Sequence, residues 1–132
     1  MWTVPGGHLE VEDYIKLPKD TIYYWYNVLE KVLKREVKEE VGINIKNIEY
    51  VTSLAAVHMD GNPSLVISCL ADYSSGRVKL QRGETEEFAW VTLRQARKYA
   101  LIDGIYDEIA LAEKKRKGIK LEWRRFKKTP PR

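Results

Sequence analysis

Cysteine pairs are missing from this 132-residue chain. Cys69 stands alone, so no internal disulfide can form, and a reducing, cytoplasmic setting is the expectation. No apolar run approaches the roughly 18 residues needed to cross a membrane, and residues 1–20 show no secretory pattern, so no membrane role is expected. Internal repeats are absent, and no linker splits the chain. At this length one domain with a single core is expected.

The charge is present but unevenly placed. Hydrophobic residues at 44% and charged residues at 32% are ordinary for a globular protein, and the net charge is +4. Residues 1–113 carry 13 basic and 18 acidic side chains, a balance of −5; residues 114–132 carry 10 basic and 1 acidic, a balance of +9. An acidic body suits a cation site, and a basic tail suits an anionic partner.

The acidic body has a focus. Arg35 to Ile43 packs one arginine and three glutamates, Glu36, Glu39 and Glu40, into six residues before Gly42. At helical spacing Glu36 and Glu40 stack, with Glu39 one position round. Two carboxylates about 4 Å apart repel by roughly 4 kcal/mol in a partly solvated site. Such a cluster is either spread into water or held together by a cation. Upstream, Ile22, Tyr26, Leu29, Val32, Leu33, Val37 and Val41 recur at spacings of three and four, with Asp20 as N-cap and Gly42 as stop. That pattern predicts one helix of about 21 residues, roughly 30 Å long. The aromatic run of Tyr23, Tyr24, Trp25 and Tyr26 falls in its first turns, as a packing surface or a base-stacking one.

The rest alternates strands and short helices. Trp2–Val4 reads as a short strand before the Gly6–Gly7 turn. Strands are predicted from Ile43 through His58 and over Ser64–Tyr73, the second a central one, with Asp60–Pro63 as the turn between them. Shorter strands are predicted over Arg77–Leu80 and Phe88–Thr92. Helices come next, over Leu93–Ala100 and Ile105–Lys117, the latter stopped by Gly118. The pattern is α+β.

Arg35 through Ile43 resembles the second half of the Nudix hydrolase signature, Arg-Glu-hydrophobic-x-Glu-Glu-x-Gly-hydrophobic, without a gap. Trp2 to Glu10 is similar to the strand and glycine turn of its first half, and Glu84 to Val91 to the family's later acidic loop and Trp-Val strand. The resemblance spans roughly residues 2–112. It implies an α/β/α sandwich around a mixed sheet, and a Mg²⁺-dependent hydrolase (Mn²⁺ as the alternative) that cuts the pyrophosphate of a nucleoside diphosphate linked to another group. It carries Glu36, Glu39 and Glu40 over as metal ligands or base, the Gly6 carbonyl as a further ligand, and Arg35 as the residue that orients a carboxylate. Glu84 is the candidate for an additional ligand or base. Gly7, His8 and Trp2 are candidates for substrate contact, His8 also reading as a surface histidine and Trp2 as packing.

Two departures from the signature stand out. The family's first glutamate falls on Asp13, with Glu12 beside it and Glu10 nearby. From Asp13 to Arg35 there are 21 intervening residues where the signature has seven, an insert of about 14 expected to lengthen the loop and add turns to the front of the helix. The second departure is at the start: the chain opens at the Trp-x-x-Pro-Gly-Gly segment, so the family's preceding strands are expected to be truncated and a second copy is expected to complete the sheet as a homodimer. Residues 1–118 are read as the Nudix-like domain and 119–132 as a basic tail. Three functions are compatible with these features: a pyrophosphohydrolase, a Nudix-like binding or regulatory module without turnover, or an RNA-end-binding protein that uses the tail.

Overall fold

The computed structural model describes residues 1–83 and 86–125. A single 3₁₀ turn, Val11–Asp13, precedes helix α1 (Val28–Val41), strands β1 (Asn44–Val57) and β2 (Pro63–Ser75), and helices α2 (Leu93–Ala96) and α3 (Ile105–Arg116). β1 and β2 pair as a two-stranded antiparallel hairpin, which with the helices makes the chain α+β. Of the described residues, 1–4, 48–71 and 89–125 form one compact unit, and 5–47, 72–83 and 86–88 form another.

The second unit contains α1, and the helix differs from its expectation at one end only. It starts at Val28 instead of Asp20, so it holds 14 residues, about 21 Å. Local side-chain bonds take the backbone donors ahead of it. Asp20 Oδ2 accepts from the Tyr26 amide at 2.8 Å, and Thr21 Oγ1 accepts from the Tyr24 amide at 3.0 Å. The amides of Asp20 and Thr21 in turn donate to the Tyr24 carbonyl. Asn27 then sits at φ 59, a left-handed conformation that breaks any continuous helix. The insert is therefore a closed turn, not added helix, and it leaves Ile22 80% exposed. At the other end Gly42 stops α1 at φ 81, its amide donating to the carbonyls of Val37 and Lys38.

Beyond the hairpin, residues 77–80 of this unit form no strand. Over 77–81 the backbone caps the helix instead: the Lys79 amide donates to the Val41 carbonyl at 2.8 Å and Gln81 to that of Glu40 at 2.9 Å. Two of the carbonyls that every helix leaves without an internal partner are satisfied in this way. The close docking leaves no room at Gly42, where an added Cβ would lie 2.9 Å from the Lys79 nitrogen. Val32 and Ile43 form the buried apolar pair of this unit.

In the first unit the hairpin closes through the Gly61 amide donating to the His58 carbonyl, and His58 Nε2 lies 3.0 Å from Ser64 Oγ. Among the described residues β2 has one strand neighbour, β1, and so does not take the central place its apolar run suggests. Ser68 of β2 donates to the Glu108 carboxylate on α3, and Lys115 Nζ donates to the Tyr50 carbonyl of β1 at 3.1 Å. Ala96, Ala110, Leu111 and Val51 are its buried apolar residues. Thr92 caps α2, its hydroxyl accepting from the Gln95 amide, and α2 ends at Ala96, short of the expected Ala100. Residues 88–92 form no strand. Trp2 makes a single parallel bridge with Leu101. Among the described residues, no helix is long and apolar enough to cross a membrane.

Candidate active site

The site is built where the Gly6–Gly7 segment, which forms no regular turn, meets the last turns of α1. The Gly6 amide donates to Glu40 Oε2 at 3.2 Å, across 34 residues of chain. Gly7 lies so close to the helix that an added Cβ would collide with the Glu36 carboxyl group. A side chain at 7 would therefore displace Glu36, and this is the physical reason for glycine here. Glu36 and Glu40 stand one turn apart on the same face, as their spacing predicts. With Gly6, Gly7, His8, Glu10 and Gln81 they line one open cavity of about 390 Å³. Since liquid water takes about 30 Å³ per molecule, a hydrated ion and a phosphate group both fit.

Arg35 does not line this cavity; its guanidinium meets three carboxylates, one of them the cavity's Glu36. Its Nε lies 2.6 Å from Asp13 Oδ1, its Nη1 3.0 Å from Glu36 Oε1 and 3.1 Å from Glu39 Oε2. The Nε contact is an ion pair by distance, without the N–H alignment of a good hydrogen bond. Three carboxylates hold the guanidinium charged, its pKa raised chiefly by Asp13. Asp13 also accepts from the Glu10 amide through Oδ2 at 2.8 Å, and its side chain is only 8% exposed. That backbone hydrogen bond first, and Arg35 second, hold its carboxyl below the ordinary carboxylate value of 3.8. Of the three acids left open at the front of the signature, Asp13 is the one that meets Arg35. Arg35 thus ties the 3₁₀ turn to α1 and fixes one oxygen of Glu36.

The other expected residues divide. Glu39 is on the Arg35 side, its side chain 52% exposed, and does not line the cavity. Trp2 belongs to the other unit, where its ring meets Tyr99 edge-on at 5.0 Å. Glu84 lies outside the described residues. Glu10 and Gln81 line the cavity without any sequence signal that announces it. Gln81 arrives there because its amide caps Glu40, a register set by tertiary hydrogen bonds and by no local motif.

The family follows from comparison with known proteins. A model of the NUDIX domain matches residues 1–110. The chain belongs to the Nudix family. Within this Nudix chain, curated relatives share stretches of moderate identity. NAD-capped RNA hydrolase NudC of Erwinia tasmaniensis is 37% identical over 90 residues, 68% of this chain and 28% of the relative. The NudC proteins of Vibrio atlanticus (33% over 90 residues, 68% and 27%) and Haemophilus influenzae (38% over 66 residues, 50% and 24%) are similar. The chain thus spans about a quarter of the length of the relatives it matches.

The donor set suits a hard divalent ion. Every candidate donor around the cavity of this Nudix site, apart from His8, offers oxygen: carboxylates, an amide and main-chain carbonyls. Among the described residues no three His, Cys, Asp or Glu side chains converge as a closed metal cage. Mg²⁺ needs no such cage, since it keeps several waters and is usually bound through one or two carboxylates plus substrate phosphates. Glu36 and Glu40 meet that requirement.

Proposed function

We propose that this chain hydrolyses the pyrophosphate of a nucleoside diphosphate linked to another moiety, with Mg²⁺ (Mn²⁺ as the alternative) held by Glu36 and Glu40. Glu39 is the proposed third carboxylate and the Gly6 carbonyl a further donor. The observation that carries this is the Gly6–Gly7 segment seated directly on Glu36 and Glu40, which sets carboxylates and main-chain groups around one open cavity. The names of the relatives support the substrate class, because an NAD cap contains a pyrophosphate between two nucleosides.

The bound ion would offset phosphate charge and lower the pKa of a water. The chain's own residues do the rest. Arg35 fixes the outer oxygen of Glu36, leaving the other free to face the cavity. Glu40, which lines the cavity, is the proposed acceptor of the proton from the attacking water; Glu84, outside the described residues, is the proposed alternative base. The new P–O bond forms as the anhydride P–O bond breaks, and the second phosphate leaves with its electron pair. Gly7 and His8, which line the cavity, are proposed to contact the substrate's phosphates. The hairpin is read as part of a mixed sheet in a Nudix α/β/α sandwich. A parallel Trp2–Leu101 bridge in the same unit as the antiparallel hairpin supports that reading.

A second reading is a Nudix binding module without turnover, favoured by Glu39, whose carboxylate meets Arg35 and does not line the cavity. One experiment separates the two. The protein is incubated with a panel of dinucleotide and nucleoside-diphosphate substrates and Mg²⁺, beside Glu40→Gln. Hydrolysis that is lost in the variant is the expected result. Binding of nucleotide without turnover in either protein points to the module.

A further inference from the structure

We propose that the end of α3 and the segment after it, Lys114–Arg125, bind the sugar-phosphate backbone of single-stranded RNA. These twelve residues hold seven lysines and arginines against one acid, Glu122. Complementing the α3 dipole accounts for cations in its last turn, Lys114, Lys115 and Arg116. It does not account for Lys120, Arg124 and Arg125, which lie beyond the helix, where the dipole's influence has faded.

Neutralisation within the fold is incomplete as well. Arg116 and Lys117 share one carboxylate, Glu113, at 2.6 and 3.6 Å. Arg125 forms a bidentate pair with Asp103. Among the described residues, no ion pair reaches Lys120 or Arg124. Both are exposed, and with Leu121, Glu122 and Trp123 they line one open surface concavity. An exposed aromatic ring beside cations that outnumber the one nearby carboxylate, Glu122, is the composition that holds unpaired nucleic acid, the ring stacking a base while the cations meet phosphates. Charge complementarity thus selects a polyanion, and the ring selects one with accessible bases. RNA as the enzyme's substrate rests on the pyrophosphohydrolase reading; RNA binding by this segment does not.

The test is fluorescence anisotropy of a labelled single-stranded RNA of about 12 nucleotides, in EDTA, against the whole chain. Binding should weaken steeply with salt. The triple variant Lys117→Gln, Lys120→Gln, Arg124→Gln should bind at least about tenfold more weakly, with the slope of log affinity against log salt shallower by ~2. The charge-keeping variant Lys117→Arg, Lys120→Arg, Arg124→Lys should bind like the parent, which separates charge from misfolding. Hydrolysis of a free dinucleotide should be unchanged in both. Glu40→Gln should keep RNA binding, so loss of turnover and loss of RNA affinity report independently. Unchanged RNA affinity in the glutamine variant overturns the proposal. So does binding to phosphatidylserine vesicles with none to RNA.

Discussion

The two ends of α1 are made by opposite means. At its front, residues 14–27 close on themselves: Tyr14 packs on Trp25, Trp25 Nε1 donates to the Leu17 carbonyl, and Asp20 and Thr21 hold the turn. All of these contacts lie within residues 14–26. At its back, long-range contacts join the local ones. Gly6 reaches Glu40, Asp13 reaches Arg35, and Lys79 and Gln81 reach the last carbonyls. The front can therefore vary in length without disturbing the back, and this is how a box interrupted by about 14 residues still assembles its glycine segment on its glutamates.

The largest effect should come from Glu40→Gln. The amide oxygen can still accept from Gly6, so the fold should persist, while loss of the carboxylate should lower turnover by about 10²–10⁴-fold. Steady-state hydrolysis and a thermal melt, read together, check both halves. An unchanged rate would remove Glu40 from the chemistry.

Gly7→Ala tests the back end through shape alone. The new methyl meets the Glu36 carboxyl, which is the flexible end of a side chain and can swing aside. Stability should stay within about 1 kcal/mol of the parent, because the alanine also restricts the unfolded chain. Affinity for Mn²⁺, followed by isothermal titration, should fall about tenfold as Glu36 leaves its place. Equal affinity in the two proteins would mean that Glu36 is not a ligand.

Asp13→Asn probes the ion pair that fastens the 3₁₀ turn to α1. The folded-state pKa of Asp13 is depressed, so its stabilisation is present at pH values above the unfolded value. It is lost as pH falls through the folded one. The gap in melting temperature between parent and variant should be widest near neutral pH and shrink on acidification below 3.8. A gap independent of pH would assign the effect to packing.

Legibility in the sequence divides along the same line. Gly42 as the stop, the hairpin and α3 rest on short-range signals that tertiary structure does not oppose, whereas the role of Arg35 rests on the resemblance to the family signature. The Glu36–Glu40 pairing needs only helical spacing. The front of α1 misleads because Ile22, Tyr26 and Leu29 keep helical spacing, and periodicity carries no information about hydrogen bonds. Asp20 has the chemistry of an N-cap, and it spends its carboxylate on Tyr26 instead. Residues 77–80 have strand character, but their amides serve the open carbonyls of α1, a demand created only once the helix has ended.

Asp20→Ala distinguishes the two possible fronts with the smallest energetic change. If Asp20 capped a helix, its carboxylate would protect the amides two and three residues on, Ile22 and Tyr23. In the closed turn it protects Tyr26, six residues on. Removing one such acceptor costs about 1 kcal/mol, seen as a modest shift in a urea midpoint. That shift alone fits both geometries, so the site of lost protection must decide. Amide hydrogen exchange should accelerate at Tyr26 in the variant and stay unchanged over Val28–Val41. Acceleration spreading from Ile22 into α1 would show a continuous helix, and with it a front end energetically coupled to the glutamates.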